Sequence, residues 1–178
     1  MVMDSPVLVL PGFGNSGPGH WQTLWEARHL HWRRVDLGQW DAPVCSSWVA
    51  KLDDAIRHCA MPPVLVAHSL ACLLVAHWAG QSRAPIKGAF LVAIPEPASP
   101  SFPATAKGFM PVPMHRLTFS TLVVASTNDS FGSIDYARAC ATAWGSRCVD
   151  VGEAGHINAD SGLGDWPSGH ALFQEFVG

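Results

Sequence analysis

A chain of 178 residues, 48% of them hydrophobic and only 14% charged, is long enough to fold as one domain, 1–178, around a substantial core. Its formal net charge of −3, with no basic block, leaves no electrostatic ground for nucleic acid or an anionic membrane as partner. The five cysteines, Cys45, Cys59, Cys72, Cys140 and Cys148, are odd in number and form no Cys-x-x-Cys pair, which argues against a disulfide framework and a structural zinc site.

The chain runs almost at once from Asp4 into the apolar segment Pro6–Leu10, without the basic region or length of a signal peptide. No apolar run approaches the ~18 residues of a membrane helix. The expectation is a soluble cytoplasmic protein.

The first predicted strand is Val7–Leu10, followed by the glycine-rich loop Leu10–His20. A helix is expected from Pro18, with Trp21, Leu24 and Trp25 on one face. A strand at Arg33–Leu37 leads to a helix from Ser46 to Cys59, with Trp48, Leu52, Ala55 and Ile56 at helical spacing and Ser46 or Ser47 as N-cap. The strand Val64–His68 ends abruptly at Ser69, and the helix after it is apolar nearly all round, which predicts deep burial.

A strand at Gly88–Ala93 precedes a segment that breaks the pattern. Six prolines between Ile94 and His115 rule out a regular helix or central strand through most of it. Long irregular connections in compact domains are usually functional or mobile, and this one is read as a cover over the site in which Phe102, Phe109 and Met110 line an acyl pocket. A strand at Leu122–Ser126, a helix Ile134–Trp144 capped by Ser133 and Gly145, and a strand Arg147–Val151 follow. The final helix opens at Trp166-Pro167 and turns Leu172, Phe173, Phe176 and Val177 to the sheet. Six apolar strands alternating with helices predict an α/β fold, a mainly parallel six-stranded sheet with helices on both faces. Trp40 and Trp166 are expected to be partly exposed near loops.

The chemistry gathers where strands end. Val64-Leu-Val-Ala-His-Ser-Leu-Ala71 has small residues two before and two after the serine, as a strand-to-helix nucleophile elbow needs for the helix to pack back on the strand. A serine hydroxyl is a poor nucleophile without a neutral imidazole to take its proton and a carboxylate to hold that imidazole. Asp129, past the fifth strand, and His156, past the sixth, supply both in the chain order of an α/β-hydrolase triad. The oxyanion hole is assigned to the backbone N–H groups of Leu70 and Phe13, with Gly12 as the alternative second donor and as a close backbone neighbour of the substrate.

Each role has rivals. Asp135 falls inside a predicted helix, Asp150 in or at the end of a strand, and Asp160 in a turn where Asn158 or Asp160 can bond the local backbone. His68 points the wrong way along the elbow, and His20, His77 and His170 read as packing or surface residues. No metal-ligand spacing is present, so no metal or other cofactor is expected. The loop Gly12–Gly17 lacks both the Gly-Lys-Ser/Thr ending and the dinucleotide fingerprint of a nucleotide site. A serine rather than an aspartate at the elbow excludes a dehalogenase or epoxide-hydrolase mechanism.

Leu10-Pro-Gly12, Ser16-Gly-Pro-Gly-His-Trp-Gln22, Val66-Ala-His-Ser-Leu-Ala71, Val123-Val-Ala-Ser-Thr-Asn-Asp129 and, most distinctively, Gly155-His-Ile-Asn-Ala-Asp-Ser-Gly-Leu-Gly-Asp-Trp-Pro167 resemble the small serine hydrolases of the retinoblastoma-binding protein 9 and YdeN family. The resemblance spans almost the whole chain. It implies a compact α/β-hydrolase fold without a cap domain, a triad of Ser69, Asp129 and His156, and carboxylesterase activity, with peptidase activity in some members. The expectation is a serine hydrolase acting on a small ester or thioester, with a peptidase or amidase on the same triad as one alternative and, because a fold does not establish a function, a non-catalytic binding scaffold as the other. Retinoblastoma-protein binding is not expected, since Leu70-Ala-Cys-Leu-Leu74 lacks the glutamate of the Leu-x-Cys-x-Glu motif.

Overall fold

A computed structural model describes residues 5–178, so Asp4 lies outside the described residues. Six strands, β1 (Val7–Leu10), β2 (Trp32–Arg34), β3 (Val64–His68), β4 (Gly88–Val92), β5 (Ser120–Ala125) and β6 (Arg147–Asp150), form one sheet in the order β2-β1-β3-β4-β5-β6. Every adjacent pair is parallel. Five α-helices cover it: α1 (Trp21–Arg28), α2 (Cys45–Arg57), α3 (Leu70–Gln81), α4 (Ile134–Trp144) and α5 (Pro167–Val177). Among the described residues no helix is long and apolar enough to cross a membrane.

The alternation of side chains along each strand sorts the apolar residues into two cores. Leu8, Leu10, Leu65, Ala67, Leu91 and Val123 face α2, α3 and α4, and meet Trp48, Leu52, Leu73 and Trp144. Val7, Val64, Val66, Phe90, Val92 and Val124 face α1 and α5, and meet Trp21, Trp25 and Phe173. Since both faces are covered, β1, β3 and β4 are buried along their whole length, which explains runs such as Val-Leu-Val-Leu with no polar alternation.

Local chemistry sets the helix ends. The α1 helix begins at Trp21, three residues after Pro18, because the His20 ring caps it by accepting from the Gln22 N–H at 3.1 Å. Neither Ser46 nor Ser47 caps α2. That helix starts at Cys45, whose N–H donates to the Lys107 carbonyl at 2.9 Å, so the proline-rich segment does the work of a capping side chain. Ser133 caps α4 through the Tyr136 N–H, and Gly145 ends it in the left-handed conformation at φ 73°. Trp166, expected near the surface, is buried.

The segment between β4 and β5 lies fixed across the face of α2 and α3. Lys107 N–H donates to Pro43 O, Thr105 to Asp41 O, His77 Nε2 lies 3.0 Å from Phe109 O, and Trp144 Nε1 donates to Pro113 O. Phe109 is drawn with it into the core.

Candidate active site

The strand order changes direction between β1 and β3, and in open parallel sheets a crevice forms at such a point beyond the carboxyl ends of the strands. Two loops meet there. Ser69 has φ 55° and ψ −125°, a conformation that costs a non-glycine residue about 1–3 kcal/mol, and it lifts the side chain clear of the sheet. The backbone holds it there: Ser69 N–H donates to Val92 O, and Cys72 N–H to Ser69 O, both at 2.8 Å. Gly12, at the end of β1, packs directly on this turn. A β-carbon on it would lie 2.8 Å from His68 O and 2.9 Å from Ser69 Cβ. Only glycine lets the loops come this close.

His156 arrives from the loop after β6, with Nε2 2.7 Å from Ser69 Oγ. Its Nδ1 lies 2.8 and 2.9 Å from the two oxygens of Asp129. An ionised carboxylate only accepts, so Nδ1 carries the proton and donates, leaving Nε2 as the acceptor for the Ser69 hydroxyl. Asp129 is almost fully buried and also accepts from the Phe131 N–H at 2.9 Å. The Phe131 ring lies over His156, with centroids 4.3 Å apart. Asp135, Asp150 and Asp160 form no hydrogen bond or ion pair with His156; the first two pair with Arg138, and Asp160 N–H donates to Asn158 Oδ1.

The loops bearing Asp129 and His156 are joined by residues that the sequence pattern did not single out. Ser126 Oγ accepts from Ala154 N–H at 2.9 Å and donates to Asn128 Oδ1, which also accepts from Gly155 N–H at 2.7 Å. Asp129 and His156 are thereby placed relative to each other by polar contacts beneath them. Gln22 is a second such residue. Fully buried on α1, its amide donates to Leu10 O and Val66 O, both at 3.1 Å, and accepts from Ser16 Oγ at 2.7 Å. It pins the loop after β1 to the strand that leads to Ser69. Its burial is what marks it, and sequence alone does not show that burial.

A cavity of about 240 Å³ opens beside Ser69. Its apolar walls are Phe13, Pro95, Pro103 and Phe131, and its polar lining includes Asn15, His20 and Asn158. Phe13 and Leu70 also line it, and neither backbone N–H donates to an acceptor among the described residues. The pocket assignment of Phe109 and Met110 is corrected here. Phe109 is buried between Trp48 and His77, and Met110 is 63% exposed; pinning of Lys107 and Phe109 to α2 and α3 turns the pair away from Ser69. Phe102 packs partly buried against the same core, and Pro95 and Pro103 are the segment's contribution to the cavity. Gly12 supports the elbow and does not line the cavity.

His68, like His20, also lines the cavity. His68 Nε2 is 2.9 Å from His156 O, and burial, reinforced by the neighbouring His20 and His156, pushes its pKa well below the usual histidine value. Burial, with the Arg34 charge and His156 nearby, brings His20 down to about 4. Both are neutral imidazoles at neutral pH. Among the described residues, no three histidine, cysteine or carboxylate side chains converge as a metal-ligand set.

No curated protein sequence matches the chain. Solved structures do. A YdeN-like hydrolase from Pectobacterium atrosepticum is 34% identical, with 98% of this chain and 91% of that one covered at a TM-score of 0.86. The ydeN gene product of Bacillus subtilis is 19% identical over 97% and 98% of the two chains at a TM-score of 0.81. A thermophilic esterase from Thermogutta terrifontis shares the fold at 16% identity, with coverage of 97% and 89% and a TM-score of 0.70. The serine hydrolase family model matches residues 7–175, so the chain belongs to the serine hydrolase family and is an enzyme with the α/β-hydrolase fold.

Proposed function

We propose that the protein cleaves a small carboxylic ester or thioester through an acyl-enzyme on Ser69. The observation that carries this reading is the continuous line Ser69 Oγ, His156 Nε2, His156 Nδ1, Asp129, with 2.7 Å at one end and 2.8 Å at the other. Ser69 Oγ bonds to the carbonyl carbon while its proton passes to His156 Nε2. The buried Asp129 stabilises the imidazolium, and the Phe13 and Leu70 N–H groups face the developing oxyanion. Collapse expels the alkoxide or thiolate, which takes the proton from His156. Water then attacks the acyl-enzyme, with His156 again as base. A cavity of about 240 Å³ between Pro95, Pro103 and Phe131 favours a short acyl group.

A fluorophosphonate probe followed by intact-mass measurement tests the reading. The wild type is expected to gain one probe adduct and Ser69→Ala none. Absence of the adduct from a folded wild type would overturn it in favour of a non-catalytic scaffold. Parallel rates on p-nitrophenyl butyrate, its thioester and a short peptide anilide then rank the leaving groups, with the esters expected to be fastest.

A further inference from the structure

The loop after β1 is held from a side that the mechanism above does not use. Its Gly12–Asn15 turn, closed by Asn15 N–H donating to Gly12 O at 3.2 Å, carries Phe13 and Gly14 between two anchors. One anchor is Gly12, which packs on the elbow. The other is Arg34, at the carboxyl end of the edge strand β2. Its Nη1 donates to Asn15 Oδ1 at 3.1 Å and to Ser16 O at 2.8 Å, and its Nη2 donates to Thr23 Oγ1 at 2.7 Å and to Glu26. Its Nε completes the set with a bond to Glu26 Oε2 at 3.0 Å. Every N–H of the guanidinium is thus used, two on the loop and three on α1.

We propose that Arg34 is a positioning residue for acyl transfer, whose guanidinium fork holds the Gly12–Asn15 turn so that the Phe13 N–H stays in place to donate to the oxyanion. The inference rests on the Ser69 hydrolase reading and on Phe13 as its second donor. The turn needs such a hold, because Asn15 sits at φ 64°, in the left-handed region that disfavours a side chain. Arg34 grips the next peptide on both sides. Asn15 Oδ1 accepts from Ser16 N–H at 2.8 Å as well as from Arg34, and Ser16 O accepts from the Thr23 hydroxyl at 3.0 Å as well as from Arg34. Gln22 reaches the same loop only through the Ser16 side chain. The Arg34 and Glu26 side chains are 23% and 18% exposed, so their pair escapes most of the screening that weakens surface ion pairs. Both stand on regular elements, β2 and α1, which makes the fork a rigid reference for the loop. A lysine in its place offers a point charge and no planar fork.

The test uses propyl trifluoromethyl ketone, to which Ser69 Oγ adds reversibly to leave an oxyanion, alongside p-nitrophenyl butyrate. The Ki of the ketone does not depend on how much of the protein is folded, whereas kcat does, so rates are divided by the number of sites that fluorophosphonate titrates. Arg34→Lys keeps a cation beside Glu26 and removes the fork. Arg34→Met removes the charge as well, and if it does not fold, Arg34→Lys alone decides.

The expected result is a rise of about 3- to 100-fold in Ki, with a matching fall in kcat per titrated site and KM little changed, the cost of a misplaced oxyanion donor. A smaller rise in folded Arg34→Lys would overturn the assignment. A Tm that falls while Ki holds is what a purely structural role predicts, and counts against it equally. So does a KM that rises as much as Ki, since the loop would then serve the cavity wall rather than the oxyanion. A wild type that takes no fluorophosphonate and is not inhibited by the ketone refutes the hydrolase reading itself, a separate result from an active enzyme indifferent to the loss of Arg34.

Discussion

Replacing Gly12 by alanine measures how closely the first loop and the elbow have to meet. The added methyl would lie 2.8 Å from His68 O, 2.9 Å from Ser69 Cβ and 3.1 Å from Leu70 N. Ordinary contact begins near 3.4 Å, so the gap has to open by about 0.6 Å, and none of the three opposing atoms is the free end of a flexible side chain. Strand β3 and most of α3 are buried, so the loop yields first, and with it moves the Phe13 N–H proposed above as an oxyanion donor beside Leu70 N–H. A misplacement of ~1 Å costs about 10²-fold, and outright loss of an oxyanion donor about 10²–10³-fold.

We expect kcat for p-nitrophenyl butyrate to fall about 10- to 100-fold with KM little changed. Overpacking adds a stability loss of about 1–3 kcal/mol, read as a Tm lower by roughly 2–10 °C. Gly19→Ala, in the same loop but with no atom within 4 Å of the built β-carbon, should match wild type in both assays. A Gly12→Ala enzyme with kcat within about twofold of wild type would refute the argument from close approach.

Phe109→Ala should cost about 3–5 kcal/mol in urea unfolding, as expected for an aromatic ring removed from between Trp48 and His77, and leave the relative rates on acetate, butyrate and hexanoate esters unchanged; an altered chain-length profile would mean that the ring reaches the acyl group after all. Acid should destabilise the fold through the buried imidazoles. His20 is depressed to about 4 from about 6.5, so between those values the unfolded chain binds the extra proton and stability falls as pH falls, by roughly 3 kcal/mol over the whole interval. Between pH 6.5 and 5, His20→Asn should therefore show a shallower loss of unfolding free energy than wild type, by up to about 1.4 kcal/mol per pH unit, and parallel curves would show that His20 does not titrate as described.

Where a single physical rule governed a segment, it was legible in the sequence. Continuous apolar runs marked β1, β3 and β4, because strands buried on both faces carry no polar alternation. Ser133 and Gly145 marked the ends of α4. Ser69, Asp129 and His156 were read from their positions past three strands, and the fold sets them within hydrogen-bond distance. The second strand, expected over Arg33–Leu37, was misjudged in its bounds. It pairs over Trp32–Arg34, and the predicted Val35 and Leu37 are buried beyond its end, where Lys51 and Trp48 of α2 bond Leu37 O and Gly38 O. Apolar character alone does not distinguish core from pocket, which is why Phe109 was misplaced. Nor does sequence show a cap supplied from a distant segment, as Lys107 supplies to α2, or a buried amide such as Gln22 that joins two strands.

Two indoles of α1 reach across to the loop after His156: Trp21 Nε1 donates to Ile157 O, and Trp25 Nε1 to Asp165 O. With Trp166 they form a group whose ring centroids are 4.5 to 6.0 Å apart. Chromophores this close share excitation before they emit, so part of the chain's ultraviolet fluorescence is tied to the residue that follows His156. The loop after His156 thus comes with its own optical label, and a shift of that loop against α1 is expected to register in the emission without an added dye.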